Sequence, residues 1–526
     1  MPITPYSGAF GKPELLHLLR RTLFGVKKSD LAYFANRSLN SVVTELLTVP
    51  SIPPLPPVKT YAEPTSVTLP NPDSLIPIGS TWVNGPTDSN VQNSRQQSLR
   101  SWWMGLIINQ DRNILEKMVL FLHNLVPTDI GGTFGEPIYS YRYNALLRQY
   151  ALGNYKAFIR QVSIEPAMLY YLDGRLNTKT APNENYGREL QELFTVGKDS
   201  TPYYTEDDVK AASKVLSGWE IDSPNLNSKF TLSRHDTTNK TFSSFYNTII
   251  TGRNTTTAGL DELDDMLTMI FAKTEVSKYI VRKLYRFFVY YNVDATVETE
   301  VIEPLAMTLR NNGYLLAPVL QELLTSQHFF ENLKARACLI KNPVDYMAGL
   351  ARQFGLVYTT APNITNQYKN WLYFLDLGNL QQMKIGNPPN VAGWTAYYQS
   401  PSYHELWVNA ESLRQKKIFT DRFITSNYNG MSFNILGFTA ALNNPGDPNL
   451  LIDEVIELFH VIGADMAIKA QLKSILLSNQ ISDYYWTNAW DAYIAAPTNN
   501  TNLTTVQTRL RTFYQAVTGM AECLLS

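Results

Sequence analysis

Apolar residues recur along this chain at three- and four-residue steps. Over 275–291, Val276, Ile280, Leu284, Phe287 and Tyr291 fall on one stripe, the spacing of one face of an amphipathic helix. Lys278, Arg282, Lys283 and Arg286 fall mainly on other faces, as a solvated back would. Leu15, Leu18 and Leu19 predict a helix over 13–24, with Arg20 and Arg21 beside them. The same pattern predicts helices over 97–109, 112–125, 140–163, 184–196, 206–217, 299–311, 315–327, 342–355, 404–417, 452–460, 465–477 and 505–524.

The intervals between these stripes are polar or rich in breakers. Residues 49–75 carry Pro50, Pro53, Pro54, Pro56, Pro57, Pro64, Pro70 and Pro72, which reads as extended chain on the surface. Residues 221–258 are rich in Thr, Ser and Asn, and Lys229–Leu232 with Phe245–Ile250 predicts a small hairpin there. Asn443-Asn444-Pro445-Gly446-Asp447-Pro448 is a turn cluster. The fold class is therefore all-α: a large multi-helix, single-core protein with a small β excursion near 225–255. It divides into a main helical domain over 1–447 and a C-terminal helical subdomain over 448–526.

With 526 residues the chain can bury a large core. It is 44% hydrophobic and 17% charged with a net charge of −1, so no global field favours nucleic acid or an anionic membrane as partner. No run reaches 18 uncharged apolar residues, and no membrane span is expected. The first residues lack a basic stretch followed by an apolar one. The expectation is a cytoplasmic protein, with export through a removed leader left open. Tyr (31) and Trp (9) are generous and suit neutral polar partners such as sugars or other proteins. Cys338 and Cys523, the two cysteines, are expected to stay unpaired.

Candidate chemistry concentrates in residues 181–219, APNENYGRELQELFTVGKDSTPYYTEDDVKAASKVLSGW. Glu189 and Glu192 share a helix face, with Glu184 a turn earlier, and Arg188 stands four residues from both Glu184 and Glu192. Inward carboxylates on a helix are how helical bundles hold hard cations, so Glu189 and Glu192 are candidate ligands for Ca²⁺ or Mg²⁺. The same residues read equally as a helix start at Pro182-Asn183-Glu184 and an ion pair in which Arg188 is largely buried. Asn183 and Asn185 flank the cluster as candidate binding residues. Thr205 fits an N-cap with Asp208 in a capping box. His123 lies beside Asn124 on the polar edge of an apolar helix. His235-Asp236 sits in a polar loop, where a histidine and a carboxylate can orient a base or hold a metal. Trp394 and Trp407, with Tyr397 and Tyr398, offer either an aromatic platform for a sugar or partner, or core packing.

Several of these blocks carry a resemblance. His17-Leu18-Leu19-Arg20-Arg21 with Phe24-Gly25, Glu116 to Asn124, Asn183-Glu184-Asn185-Tyr186 with Arg188-Glu189-Leu190 and Glu192 to Thr195, His235-Asp236 with Lys240-Thr241-Phe242, and Pro388 to Trp394 with Trp407-Val408-Asn409 run in order from about residue 12 to about residue 418. Together they resemble the bacterial family known as domain of unknown function 1800. A second histidine often follows the histidine-asparagine pair in that family, and here the position is Leu125, which weakens a two-histidine metal centre. The resemblance implies a site at the Asn183–Glu192 block and a sulfatase-like protein encoded nearby.

Two functional readings stand. One is a metal-assisted hydrolase or transferase acting on a polymeric or sulfated substrate, with His123, Glu184, Arg188, Glu189, His235 and Asp236 converging as its catalytic groups. The other is a non-catalytic scaffold or a carbohydrate- or protein-binding protein, with Asn124, Asn183, Asn185, Trp394 and Trp407 among its contacts. No nucleotide-binding glycine loop, His-Glu-x-x-His or Gly-x-Ser-x-Gly motif occurs.

Overall fold

A computed structural model describes residues 3–62, 72–131, 136–198, 204–331, 338–358 and 363–526. The molecule is all-α, interrupted among the described residues by three two-stranded antiparallel pairs. At its centre is the helix Leu115–Leu125, buried at every residue from Glu116 to Leu125. A helix buried on all sides must pair its polar side chains inside the protein. Glu116 does so by accepting both guanidinium nitrogens of Arg148, one at 3.0 Å, from the helix Pro137–Tyr150. Lys117, its neighbour in sequence, donates to Asp345 on the helix Pro343–Phe354. One turn of chain thus anchors two other helices.

The helix Lys12–Thr22 starts on Pro13 with Glu14 in its first turn and Arg20 and Arg21 in its last, matching the charges of its dipole. The chain leaves it through Gly25 at φ +70°, where a Cβ would stand 2.5 Å from the carbonyl oxygen of Gly349. Only glycine permits that approach between the first helix and Pro343–Phe354. Apolar packing is continuous: one buried cluster runs from Leu15 to Cys523. Phe354 stacks 5.0 Å from Phe433 and lies 4.8 Å from Phe459 and 5.1 Å from Tyr514, so the last helix, Asn500–Gly519, shares aromatic packing with the middle of the chain.

Several boundaries differ from the sequence expectation for local reasons. The helix expected over 140–163 is two, Pro137–Tyr150 and Tyr155–Ile164. Gly153 ends the first, and the Asn154 side chain caps the second by accepting from the Ala157 amide at 2.9 Å. The helix expected over 404–417 begins at Ala410, behind an Asn409 cap and after a 3-10 turn over Tyr403–Trp407. The expected hairpin is instead two. Trp219–Asp222 pairs with Asn227–Phe230, and Lys240–Thr241 with Ile249–Ile250. A third pair, Leu356–Tyr358 with Met431–Phe433, was not foreseen. Part of the proline-rich stretch over 49–75 lies outside the described residues. Both cysteines are free thiols. Among the described residues no helix is long and apolar enough to cross a membrane.

Candidate functional site

The signature segment forms the helix Asn185–Glu192. Asn183 builds its start, accepting from the Asn185 amide at 2.9 Å while its own amide donates to Asn177 at 3.0 Å. Arg188 departs from the expected pairing. It reaches Glu184 at 3.3 Å, but its short contacts are to Glu206, at 2.6 and 2.7 Å, on the helix Glu206–Val215. That helix opens on the capping box foreseen at Thr205 and Asp208. Arg188 is also not buried: a third of its side chain is exposed, and so is two-thirds of that of Glu206. The reason is geometric, since Glu206 approaches from outside and draws the guanidinium toward solvent. Glu192 accepts from Lys198 at 2.9 Å and lies 3.5 Å from the Tyr204 hydroxyl.

The Glu189 carboxylate makes no hydrogen bond or ion pair among the described residues. Burial, then the neighbouring Glu192 charge, raises its carboxyl above the ordinary range. For the divalent cation expected at Glu189 and Glu192, the geometry offers two carboxylates on one face. Among the described residues, no group of three His, Cys, Asp or Glu side chains is placed to hold a metal ion.

His123 is buried at 2% exposure among rings, 5.1 Å from Trp103 and 6.0 Å from Trp394. Desolvation pulls its pKa down to about 4, with the Thr128 backbone partly opposing. Its imidazole is therefore neutral at physiological pH. Asn124 accepts the Trp394 amide at 2.9 Å and joins this helix to the Pro388–Trp394 loop. Gly393 there has φ +88°, and a Cβ would lie 2.3 Å from the Asn124 carbonyl oxygen. Trp394 and Trp407 are 2% and 5% exposed. Their rings pack the core and present no platform, because the glycine turn folds the loop inward onto Asn124.

His235 is fully buried. Its Nδ1 lies 2.9 Å from the Ser217 carbonyl oxygen and its Nε2 3.3 Å from Glu262. Glu262, on the helix Ala258–Phe271, also accepts Lys240 at 2.6 Å and the Arg253 amide at 2.7 Å. Burial would raise the Glu262 carboxyl, but these hydrogen bonds prevail and hold it below the ordinary range. Asp236 accepts the Thr238 amide at 2.8 Å and the Thr238 hydroxyl, closing its own loop. His123, the Arg188 helix and His235 each sit in a local network. Among the described residues no hydrogen bond, ion pair or ring contact joins one of the three to another.

Two groups escaped the sequence reading. Asn387 donates to Asp129 and accepts from Arg100, which also donates to the Ile130 carbonyl; its place just before Pro388-Pro389 was the available signal. Glu165, whose Glu-Pro step reads simply as a helix start, has a buried Oε1 without a hydrogen-bond partner among the described residues. Burial raises its pKa to about 7, with Arg142 opposing.

An open cleft lies at the start of the central helix. It encloses about 660 Å³ between residues 49–54 and the helices Gln92–Ile108, Leu115–Leu125 and Pro137–Tyr150. Trp102 and Tyr141, 5.8 Å apart and edge to face, are among its lining residues. So are Asn109, Gln110, Asn113 and Gln149. Glu116 and Arg148 also line it and neutralise one another, leaving Asp111 as its remaining charge.

The fold and these contacts define an all-α protein whose motif residues are held in separate local networks around one apolar core. The family model described as "Protein of unknown function (DUF1800)" matches residues 17–511, and the chain belongs to that family. No curated protein and no solved structure matches it.

Proposed function

We propose that this is a non-catalytic binding protein that takes a neutral carbohydrate chain in the 660 Å³ cleft. The observation that carries the reading is the make-up of that cleft: aromatic rings, an internally neutralised ion pair and a border amide, Gln149, whose side chain makes no hydrogen bond among the described residues, unlike those of Asn109, Gln110 and Asn113. Its volume is that of an ordinary ligand site. Rings stack on the apolar faces of sugars, and side-chain amides both donate to and accept from hydroxyls. Two of the catalytic candidates of the sequence are engaged elsewhere, while Glu189 keeps a raised carboxyl pKa. His235 is held by Ser217 and Glu262, and Arg188 by Glu206.

One observation favours the second reading, an acid–base enzyme. Glu165 has a pKa of about 7 and an unsatisfied oxygen, which suits a group that exchanges protons near neutrality. A single experiment separates the two. Neutral oligosaccharides are screened for binding to the intact chain, and hits are followed by calorimetry and product analysis. Saturable binding that is weakened at least about tenfold by Tyr141→Ala, with no turnover, supports the binding protein. Turnover lost in Glu165→Gln supports the enzyme. Absence of binding across neutral sugars removes the carbohydrate reading.

A further inference from the structure

A second, smaller cavity of about 40 Å³ lies on the other side of the central helix. Its lining brings together side chains far apart in sequence: Arg20 and Arg21 from the first helix, Lys117 from the central one, Arg286 from Thr274–Phe288, and Asp345 and His404. Four basic side chains thus line it with the Asp345 carboxylate and the C-terminal residue Ser526. Asp345 is already committed, accepting from Lys117 and, at 2.7 Å, from Asn342. Arg20 spends its donors on backbone carbonyls, at 2.5 Å to Glu457 and 2.9 Å to His460. The excess positive charge is expensive away from water. Burial lowers the pKa values of Lys117 and Arg20, the latter to about 10, against the opposing pull of Asp345 on Lys117 and of Glu457 on Arg20, and Arg21 adds a small repulsion to both.

His404 adds an independent sign. Its Nδ1 accepts the Ile340 amide at 3.2 Å, which leaves the ring proton on Nε2. That nitrogen is buried and has no hydrogen-bond partner among the described residues. A buried N–H without an acceptor among the described residues, in a cavity lined by four basic side chains, suits an anion with lone pairs to offer. Size narrows the choice. One water needs about 10–15 Å³ of such space, so the cavity holds a group of a few oxygens and no ring.

We propose that this pocket binds a tetrahedral oxyanion, sulfate or phosphate, either free or as the terminal group of an ester. In the second case the organic part stays outside, against the half-buried Tyr291 and Tyr403, whose rings lie 5.5 Å apart. The proposal does not rest on the sugar reading of the cleft: Glu116 faces that cleft and Lys117 this pocket.

The test is thermal melting and calorimetry of the full chain with inorganic sulfate, inorganic phosphate, glucose 6-sulfate and glucose 6-phosphate, at ionic strength fixed with chloride. A saturable rise in melting temperature is expected with at least one of them. Arg286→Gln and His404→Gln should each raise the half-saturating concentration at least about tenfold, as loss of a charge-assisted or buried hydrogen bond does. Arg286 is half-buried, and His404→Gln provides a second variant should the first fold poorly. Binding of the inorganic ions alone identifies a free ion as ligand, and equal or tighter binding of the esters identifies a terminal group. No saturable effect beyond chloride, or variants that bind as tightly as the parent, overturns the proposal.

Discussion

Neutral His123, locked between Trp103 and Trp394, makes the stability of the fold depend on pH. Its pKa falls from 6.5 to about 4 on folding. The folded state therefore resists a proton that the unfolded chain accepts. The stabilisation is complete above pH 6.5 and is lost as pH falls toward 4, by about 3 kcal/mol. Glu165 acts in the opposite sense: its raised pKa of about 7 favours the folded state below pH 4.5, and that contribution is lost as pH rises through 7. Comparing the parent with His123→Phe cancels Glu165, which both proteins carry. Between pH 6.5 and 4 the parent should lose about 3 kcal/mol more unfolding free energy than the variant, measured by urea denaturation. Parallel curves would assign the acid sensitivity to another group. The sequence placed His123 on a polar edge, and this is where it misled. The residues that enclose the ring come from positions 103 and 394, and periodicity along one helix carries no information about them.

Between elements, ion pairs differ by where they sit. Arg188 joins two helix starts through Glu206 at the surface, where screening and side-chain entropy leave a pair worth at most about 1 kcal/mol. Lys240 joins the strand Lys240–Thr241 to the helix Ala258–Phe271 through Glu262, with both side chains fully buried and His235 on the same carboxylate. Lys240→Ala strands Glu262 in the interior and should cost about 3–5 kcal/mol. Adding Glu262→Gln should recover part of that loss. Denaturant titration of the single and double variants decides the matter, and additive losses would show that the pair does not couple. The contrast also explains which parts of the site could be read in advance. The asparagine start of the helix Asn185–Glu192 and the Thr205–Asp208 box follow from local capping rules and occur as expected, while the helix expected over 184–196 stops at Glu192. Glu206 and Glu262 are partners supplied by tertiary packing, 18 residues from Arg188 and 22 from Lys240. No spacing rule on a single helix reaches them. The strand pair Leu356–Tyr358 with Met431–Phe433 was hidden for the same reason.

At the scale of the molecule, the turn cluster at 443–448 marks a boundary in sequence, and we propose that it is not a boundary in stability. The helix Asn500–Gly519 places Tyr514 against Phe354 and Phe438, and the Tyr514 hydroxyl meets Thr439 at 2.7 Å. His460 lies 3.1 Å from the Val517 carbonyl oxygen, and Arg20 of the first helix donates to carbonyls of Glu457 and His460. Removing 448–526 would expose Phe354 and Phe438 together and leave the half-buried Arg20 without its acceptors. Exposing a buried aromatic costs on the order of 2–3 kcal/mol per ring, and domain stabilities are typically only about 5–15 kcal/mol. Losing several such contacts at once exceeds what most domains can absorb. A 1–447 chain should therefore be recovered unfolded or aggregated, and the full chain should melt in one calorimetric transition whose van't Hoff and calorimetric enthalpies agree. Two resolved transitions, or a 1–447 chain with the parent's helical circular dichroism and a cooperative melt, would instead establish 448–526 as a subdomain that folds independently.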